Sequence, residues 1–433
     1  MATEPQVEIA SARRYFGTDG VRGVVGEDLT VELVEQLARA ATIWSSSGRV
    51  FVGRDTRASG VELEEAFARG VVEAGGVAVL GGVLPTPAVA LLALDLGVVI
   101  TASHNPPQYN GVKFFDHHGR KLSDAAELEI EALMEAKTSG GGVIDHVEVA
   151  TDSYLEHIIE RFGSDLSGLK LAVDCANGAY SEIAPEAFAR LGAEVVAIAN
   201  APDGVNINDH CGATDLSLLA RTVVENGCDL GVAFDGDGDR MLAVTAAGEP
   251  VDGDQILAIL TLHLGVDLVA VTKMTNLGFH NLMREHGIRV LTTDVGDRYV
   301  LEALWREEGM LGGEQSGHII YLKDHVTGDG LAAALLLCSA LEGRTLAEAA
   351  AVMPRFAQVK RNLQLEGNKL PKSALAKVKR LNTELDGRAR VLVRASGTEP
   401  VVRLLAEAET PQEAEDLCGR IEEQVRRELG QSS

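Results

Sequence analysis

Three aspartates stand at alternate positions in Asp235-Gly-Asp237-Gly-Asp239-Arg240, directly after the apolar run 230–234. If the backbone stays extended there, that spacing turns all three carboxylates to one side. Like charges ~5 Å apart repel by roughly 3 kcal/mol per pair at an effective dielectric near 20, and by under ~1 kcal/mol in water. The cluster is therefore either solvated or holding a cation. A short apolar run bounded by glycines reads as a buried parallel strand. Carboxylate oxygens at its end suit a hard ion, Mg²⁺ before Zn²⁺. An acidic surface turn is the plain alternative. An EF-hand loop counted from Asp235 fails, because Arg240 and Ala246 stand where glycine and glutamate are required. An aspartyl-phosphate phosphatase with Asp235 as its nucleophile stays open.

Other polar, glycine-rich stretches also follow apolar runs, where open α/β sheets bind ligands. Thr101-Ala-Ser103-His104-Asn105-Pro106 sets a serine beside a histidine on an Asn-Pro turn, and Asn110-Gly-Val-Lys113 follows. The serine is either an activated nucleophile or a turn residue. No Gly-x-Ser-x-Gly elbow supports a hydrolase triad. Phe16-Gly-Thr-Asp-Gly-Val-Arg22-Gly23 places an arginine among glycines that let backbone approach a ligand. Glu314-Gln-Ser316-Gly-His318 offers carboxylate, hydroxyl and imidazole to a polyol, or is a polar turn. Arg394-Ala-Ser396-Gly397-Thr398-Glu-Pro-Val-Val-Arg403 has the composition of a phosphate cradle: hydroxyls, glycine-freed N–H groups and two guanidinium forks. The Gly-x-x-x-x-Gly-Lys signature of a nucleotide triphosphate site is absent.

The elements that must position these residues alternate from residue 50 to about 340. Short β-rich runs (50–52, 77–80, 98–100, 171–173, 194–198, 230–234, 268–271, 290–292) are separated by helical stretches (62–73, 88–96, 182–191, 217–226, 254–264, 277–286, 299–308). That is the pattern of βαβ units with mainly parallel sheets. Lys137-Thr-Ser-Gly-Gly-Gly142 reads as a linker, and glycines 248–253 as a second break. Beyond Pro354 the pattern becomes that of a small α+β domain. A length of 433 residues suggests about three domains at ~150 each, and the pattern raises this to four.

The chain carries 39 basic against 64 acidic residues, a formal charge of −25. That balance disfavours nucleic acid and anionic membrane as partners, and any anionic substrate needs a locally basic site. Five dispersed cysteines without a Cys-x-x-Cys pair read as reduced thiols in a cytoplasmic protein. No signal peptide is apparent at the start, and the apolar stretch 331–341 is too short to span a bilayer.

Taken in this order, the motifs resemble the α-D-phosphohexomutase superfamily over nearly the whole chain. The motifs 16–23 and 314–318, with Gly204-Val-Asn-Ile-Asn208 and Val295-Gly-Asp-Arg-Tyr299, are most similar to its phosphoglucosamine mutase branch. Ala395 and Thr101 depart from the usual proline and serine, and Lys273-Met-Thr275 is closer to the mannose/glucose-type mutases, which keeps a phosphomannomutase or phosphoglucomutase as the alternative. A non-catalytic sugar-phosphate-binding homologue is the reading from another class, against which Ser103 and the three aspartates speak.

The resemblance implies three repeated α/β domains (1–150, 151–250 and 251–355) and a C-terminal α+β domain (356–433) around a central cleft. It implies an isomerase that interconverts glucosamine 6-phosphate and glucosamine 1-phosphate, feeding UDP-N-acetylglucosamine and cell-wall precursor synthesis. Ser103 is then the phosphorylated carrier, and glucosamine 1,6-bisphosphate the primer and intermediate. Mg²⁺ is held by Asp235, Asp237 and Asp239 with an oxygen on Ser103. Lys113, Arg240 and Arg22 act on the phosphoryl group, and His104, Lys113 and His318 are the candidate bases. Glu314, Ser316 and His318 bind the sugar, and Arg394, Ser396, Gly397, Thr398 and Arg403 the non-reacting phosphate. The implied partner is a small phosphosugar. A homodimer is compatible with the resemblance, though no residue specifies one.

Overall fold

A computed structural model describes residues 13–428, except 18, 46–47, 139, 365–369, 371 and 396–400. Four sheets follow one another along the chain. The first has six strands, with Arg49–Arg54 flanked by Val77–Val83 and Leu96–Ile100 in parallel. Its other side continues antiparallel through Tyr109–Asp116 to Val21–Val24. The second sheet has five strands: Lys170–Asp174 pairs in parallel with Glu194–Ile198 and Leu230–Phe234, then come the antiparallel strands Met241–Thr245 and Pro250–Val251. In the third, of four strands, Leu268–Thr272 runs parallel to Leu311–Gly313, which pairs antiparallel with Ile319–Tyr321. The last is a three-stranded antiparallel sheet of Ala357–Gln364, Val401–Ala408 and Ala389–Ala395. The fold is the expected α/β class of four domains, with a parallel centre and an antiparallel border in each of the first two sheets.

The central strands Leu96–Ile100, Leu230–Phe234 and Leu268–Thr272 are buried along their whole length. Their continuous apolar runs are therefore those of strands covered on both faces. Helix Ser217–Asn226 ends where Gly227 adopts a left-handed φ of 62°, the conformation glycine tolerates best. Helix Gly330–Leu341 has every residue but Ser339 buried, so its apolar run belongs to a core helix. Among the described residues no helix is long and apolar enough to cross a membrane.

Three expectations needed correction. The helix expected over 88–96 stops at Leu91, and Leu96 already begins a strand. The polar loop expected after Ile100 is short, because Tyr109–Asp116 returns as a strand. The aspartate stretch is not extended: it is the loop joining Leu230–Phe234 to Met241–Thr245, turned by Gly238 at φ +76°.

The chain forms two compact units. One contains the described residues up to Lys273 together with Leu291–Ala350. The other combines Met274–Val290 with the described residues from Ala351 onward. Within this second unit the Asn276 side chain donates to the Phe356 carbonyl and accepts from the Phe356 and Gly278 N–H groups, each at 3.0 Å. Helix Leu277–Glu285 is thereby stitched to the strand region of the C-terminal sheet.

Candidate active site

The loops that carry polar chemistry leave the carboxyl ends of parallel strands. Ser103 lies just after Leu96–Ile100, and Asp55 just after Arg49–Arg54. Asp235 follows Leu230–Phe234, and Glu314 follows Leu311–Gly313. Ser103 is only 1% exposed, with a left-handed backbone at φ 52°. A non-glycine residue pays for that conformation with about 1–2 kcal/mol, so the loop must be held from outside. Arg57 does most of this. Its fully buried guanidinium donates to the carbonyls of Ser103, Asn105, Pro106 and Tyr109 at 2.6–3.0 Å and pairs with Asp55 at 2.9 Å. Asp55 accepts from the Thr101 hydroxyl at 2.7 Å, and that hydroxyl accepts the Ser103 N–H at 2.9 Å. Thr101 thus supports the loop through a group that serine also has.

The Ser103 hydroxyl donates to Asp235 at 2.7 Å, and His104 Nδ1 lies 3.4 Å from it. Asp235, Asp237 and Asp239 are all buried, and each offers an oxygen within 4.8 Å of the others'. The expected convergence of the three carboxylates therefore holds, although a turn achieves it. Gly238 supplies the turn: its N–H donates to the Asp235 carbonyl at 3.1 Å, and a Cβ there would strike the Tyr180 ring at 2.4 Å. The Arg240 N–H donates to Asp235 Oδ1 at 3.1 Å. Burial, then Asp239 and Asp237, push the Asp235 carboxyl well above the usual range. Burial acts on Asp239 in the same sense, but Lys113, His318 and Arg240 outweigh it and hold that carboxyl well below. Asp237 Oδ1 is buried without a hydrogen-bond partner. Asp239 Oδ1 is likewise without one. Three hard oxygen donors, two with an orphaned oxygen and the third disfavoured as an anion by burial and its neighbours, fit a divalent cation of the Mg²⁺ type.

Lys113 reaches this cluster from the strand Tyr109–Asp116, with Nζ 2.6 Å from Asp237 and 3.1 Å from Asp239. It is one member of a closed ring of alternating charge. Lys113 lies 3.3 Å from Asp19, Asp19 2.5 Å from Lys121, and Lys121 2.6 Å from Asp297. His318 closes the ring at 3.5 Å from Asp297 and 3.7 Å from Asp239. Burial alone would lower the Lys113 ammonium, but Asp19, Asp237 and Asp239 raise it well above the ordinary lysine value. Arg22 pairs with Asp19, and Arg240 Nε lies 3.7 Å from Asp239. In this cluster each cation is matched by a carboxylate, so the positive charge that would attract an anion has to come from a metal ion on the three aspartates together with Arg22 and Arg240 at its edge.

On the sugar-loop candidate, His318 is buried, Glu314 half-buried and Ser316 exposed. Glu314 accepts from the Gly296 N–H at 3.1 Å, and burial raises its carboxyl against the pull of His318. Beneath the carboxylate loop, Tyr154 and Tyr180 both donate to buried Asp329 at 2.7 and 2.9 Å, and His325 meets it at 2.9 Å. In the second compact unit, Arg394 and Arg403 stand directly opposite each other on neighbouring antiparallel strands. Ser396, Gly397 and Thr398 lie outside the described residues.

No role was assigned from sequence to six contributors: Asp19, Asp55, Arg57, Lys121, Asp297 and Asn208. Asp19 stands inside a motif already noted, and the charges of Arg54-Asp-Thr-Arg57 at the end of an apolar strand were a usable signal. Asn208 and Asp297 also stand in quoted motifs, 204–208 and 295–299, whereas Lys121 carries no signal, because only tertiary folding brings it to Asp19 and Asp297.

Comparison with known proteins agrees with this geometry. Models of phosphoglucomutase/phosphomannomutase alpha/beta/alpha domains I, II and III match residues 13–140, 152–248 and 252–356, and the C-terminal domain model matches 342–424. A phosphoglucosamine mutase of Pelotomaculum thermopropionicum is 47% identical, covering 94% of this chain and 97% of its own. One from Streptomyces griseus is 47% identical over 96% of this chain and all of its own. Among solved structures, a phosphoglucomutase/phosphomannomutase family protein of Burkholderia thailandensis superposes with a TM-score of 0.81 at 26% identity, covering 95% of this chain and 96% of that one. The fold is also that of an Aspergillus fumigatus N-acetylphosphoglucosamine mutase solved with GlcNAc-6P and magnesium, with a TM-score of 0.67 at 18% identity, covering 98% and 97% of the two chains. The chain belongs to the phosphoglucosamine mutase family of the α-D-phosphohexomutase superfamily and is an isomerase of that class.

Proposed function

We propose that this chain interconverts glucosamine 6-phosphate and glucosamine 1-phosphate by way of a phosphoryl group on Ser103. The observation that carries this is the Ser103 hydroxyl 2.7 Å from Asp235, within a buried cluster of three carboxylates. The choice of sugar is supported by relatives near 47% identity that are named for it.

The phosphoryl group of phosphorylated Ser103 passes to O1 of glucosamine 6-phosphate: the Oγ–P bond breaks as the O1–P bond forms, the O1 proton is taken up on the enzyme, and glucosamine 1,6-bisphosphate results with the Ser103 hydroxyl free. The intermediate turns end for end. Its 6-phosphoryl group then passes to Ser103 Oγ, and glucosamine 1-phosphate departs. Such transfers are accelerated mainly by positioning and charge neutralisation. Mg²⁺ bound by Asp235, Asp237, Asp239 and an oxygen on Ser103 would offset charge on the transferring oxygens.

Among the candidate bases, His104 is best suited to accept a hydroxyl proton. Burial, reinforced by Arg240 and Arg22, lowers its imidazole to about 4, so it is neutral near pH 7. Lys113 stays protonated among three carboxylates and suits orientation of the phosphoryl group, as do Arg22 and Arg240. Asp297 and Asp239 raise the His318 imidazole despite its burial, favouring a donor to substrate oxygen. Glu314 and Ser316 would bind sugar hydroxyls in both orientations, and the C-terminal cradle with Arg394 and Arg403 the other phosphate. The domain limits 1–150, 151–250, 251–355 and 356–433 are part of this reading, as is a cytoplasmic setting consistent with five free, buried cysteines.

Lys273, the residue closest to the mannose/glucose type, is engaged with Asp294 at 2.6 Å. Comparing turnover of glucosamine, glucose and mannose phosphates, with Mg²⁺ and a bisphosphate primer, tests the sugar assignment. The expected order puts glucosamine first; mannose or glucose ahead of it would refute that assignment.

A further inference from the structure

The run Gly204–Asn208 has no part in the reaction as set out above, yet it lies against the serine loop. Asn208 Nδ2 donates to the Ser103 carbonyl at 2.9 Å, with a looser approach to the Asn105 carbonyl at 3.4 Å. The same Ser103 carbonyl accepts from Arg57 at 2.9 Å. Its direction fixes the left-handed backbone that presents the hydroxyl to Asp235. Arg57 comes from the region of the first sheet and Asn208 from that of the second, so the carbonyl is held from two sides.

The run is shaped for this contact. Gly204, at φ +92°, comes so close to Ala58 that a Cβ would meet the Ala58 Cβ at 2.9 Å, and its carbonyl accepts the Ala58 N–H at 2.9 Å. Asn206 ties the loop to itself, accepting from the Asp203 N–H and donating to the Ala201 carbonyl. Buried Ile207 packs on the carboxylate loop: a Cβ on Gly236 would meet Ile207 Cδ1 at 2.7 Å, Asn208 Nδ2 at 2.8 Å and the Ser103 carbonyl at 2.8 Å. Asn208 itself has φ 57°, a conformation asparagine tolerates better than most residues. One amide thus touches the serine loop and the carboxylate loop together.

We propose that Asn208 is a positioning residue for phosphoryl transfer, setting Ser103 Oγ in register with Asp235, Asp237 and Asp239. The proposal rests on Ser103 being the phosphoryl carrier. Asn208→Gly keeps the left-handed backbone and removes the donor. Asn208→Asp keeps size and backbone preference but turns a carboxylate oxygen toward the carbonyl. The full chain is compared with both variants in steady state and in single-turnover transfer from phosphorylated Ser103 to glucosamine 6-phosphate, with melting temperatures alongside. A misplacement of this kind slows the step by on the order of 10-fold to 10²-fold. The expected result is that loss in kcat and in single-turnover rate with KM unchanged, measured well below the melting temperature of each variant, which the lost hydrogen bond will itself lower somewhat. A merely structural role would instead raise KM and lower stability without a selective loss in the single-turnover step.

Wild-type transfer rates in the variants would overturn the proposal. Failure of both to fold would overturn it too, since the run would then serve the fold rather than Ser103. Absence of phosphate from wild-type Ser103 would sink the carrier reading and the Asn208 role with it. A phosphorylated wild type with equally fast variants would sink the Asn208 role alone.

Discussion

Replacing Lys113 by methionine keeps the length of the side chain and removes its charge. In the wild type Nζ sits 2.6 Å from Asp237, 3.1 Å from Asp239 and 3.3 Å from Asp19, and the residue is 1% exposed. Removing one partner of a buried pair destabilises by about 3–5 kcal/mol, because the charges left behind have no solvent. At ~2–4 °C per kcal/mol, melting measured in EDTA should fall by roughly 6–20 °C. The loss also has a pH signature. Lys113 helps hold the Asp19 and Asp239 carboxyls below their ordinary range against the opposing effect of burial. A depressed carboxyl contributes stability above its unfolded value of ~3.9 and loses it as pH falls through the folded value. The gap between wild type and variant should therefore be full at neutral pH and narrow in acid. Without the ammonium competing for Asp237, added Mg²⁺ should raise the melting temperature of the variant more than that of the wild type. Equal melting in EDTA, or an equal Mg²⁺ shift, would refute this electrostatic reasoning.

Two other outcomes are expected. Burial pushes the Asp174 carboxyl up to about 6, although the Ala176 and Gly212 N–H groups oppose it, so its stabilising contribution is full below 3.8 and lost as pH rises through 6. The melting temperature of Asp174→Asn relative to wild type should climb across that window, by the equivalent of about 3 kcal/mol, and a flat difference would contradict it. Arg403→Ala should raise the Michaelis constant about 10- to 100-fold with little change in kcat, the loss of a charged hydrogen bond to phosphate; an unchanged Michaelis constant would argue against the C-terminal cradle.

Local chemistry explains which elements could be read from the letters. The strand Leu230–Phe234 and the helix Ser217–Asn226 fall where expected, because Gly227 ends the helix and the strand is a continuous apolar run closed by Asp235-Gly236. The apolar stretch from Leu84 to Ile100 contains a helix and a strand with little turn chemistry between them, so the boundary slipped. Tyr109–Asp116 escaped notice because Lys113 interrupts its apolar run, and only the carboxylates of a distant loop make a lysine tolerable there. The site divides in the same way. Ser103 and the three aspartates are legible as motifs. Arg57 is not, since its five partners are carbonyls and a carboxylate gathered by the fold. The charge ring through Asp19, Lys121 and Asp297 likewise exists only once separate stretches of chain have packed.

The most direct test of the catalytic centre is the intact mass of the purified protein, with peptide mapping, after charging with glucosamine 1,6-bisphosphate and Mg²⁺. The expected result is one phosphate, on Ser103, lost to added glucosamine 6-phosphate and absent from Ser103→Ala, which should bind substrate without turning it over. No phosphate on Ser103, an acyl phosphate on Asp235, or substantial activity in Ser103→Ala would contradict it.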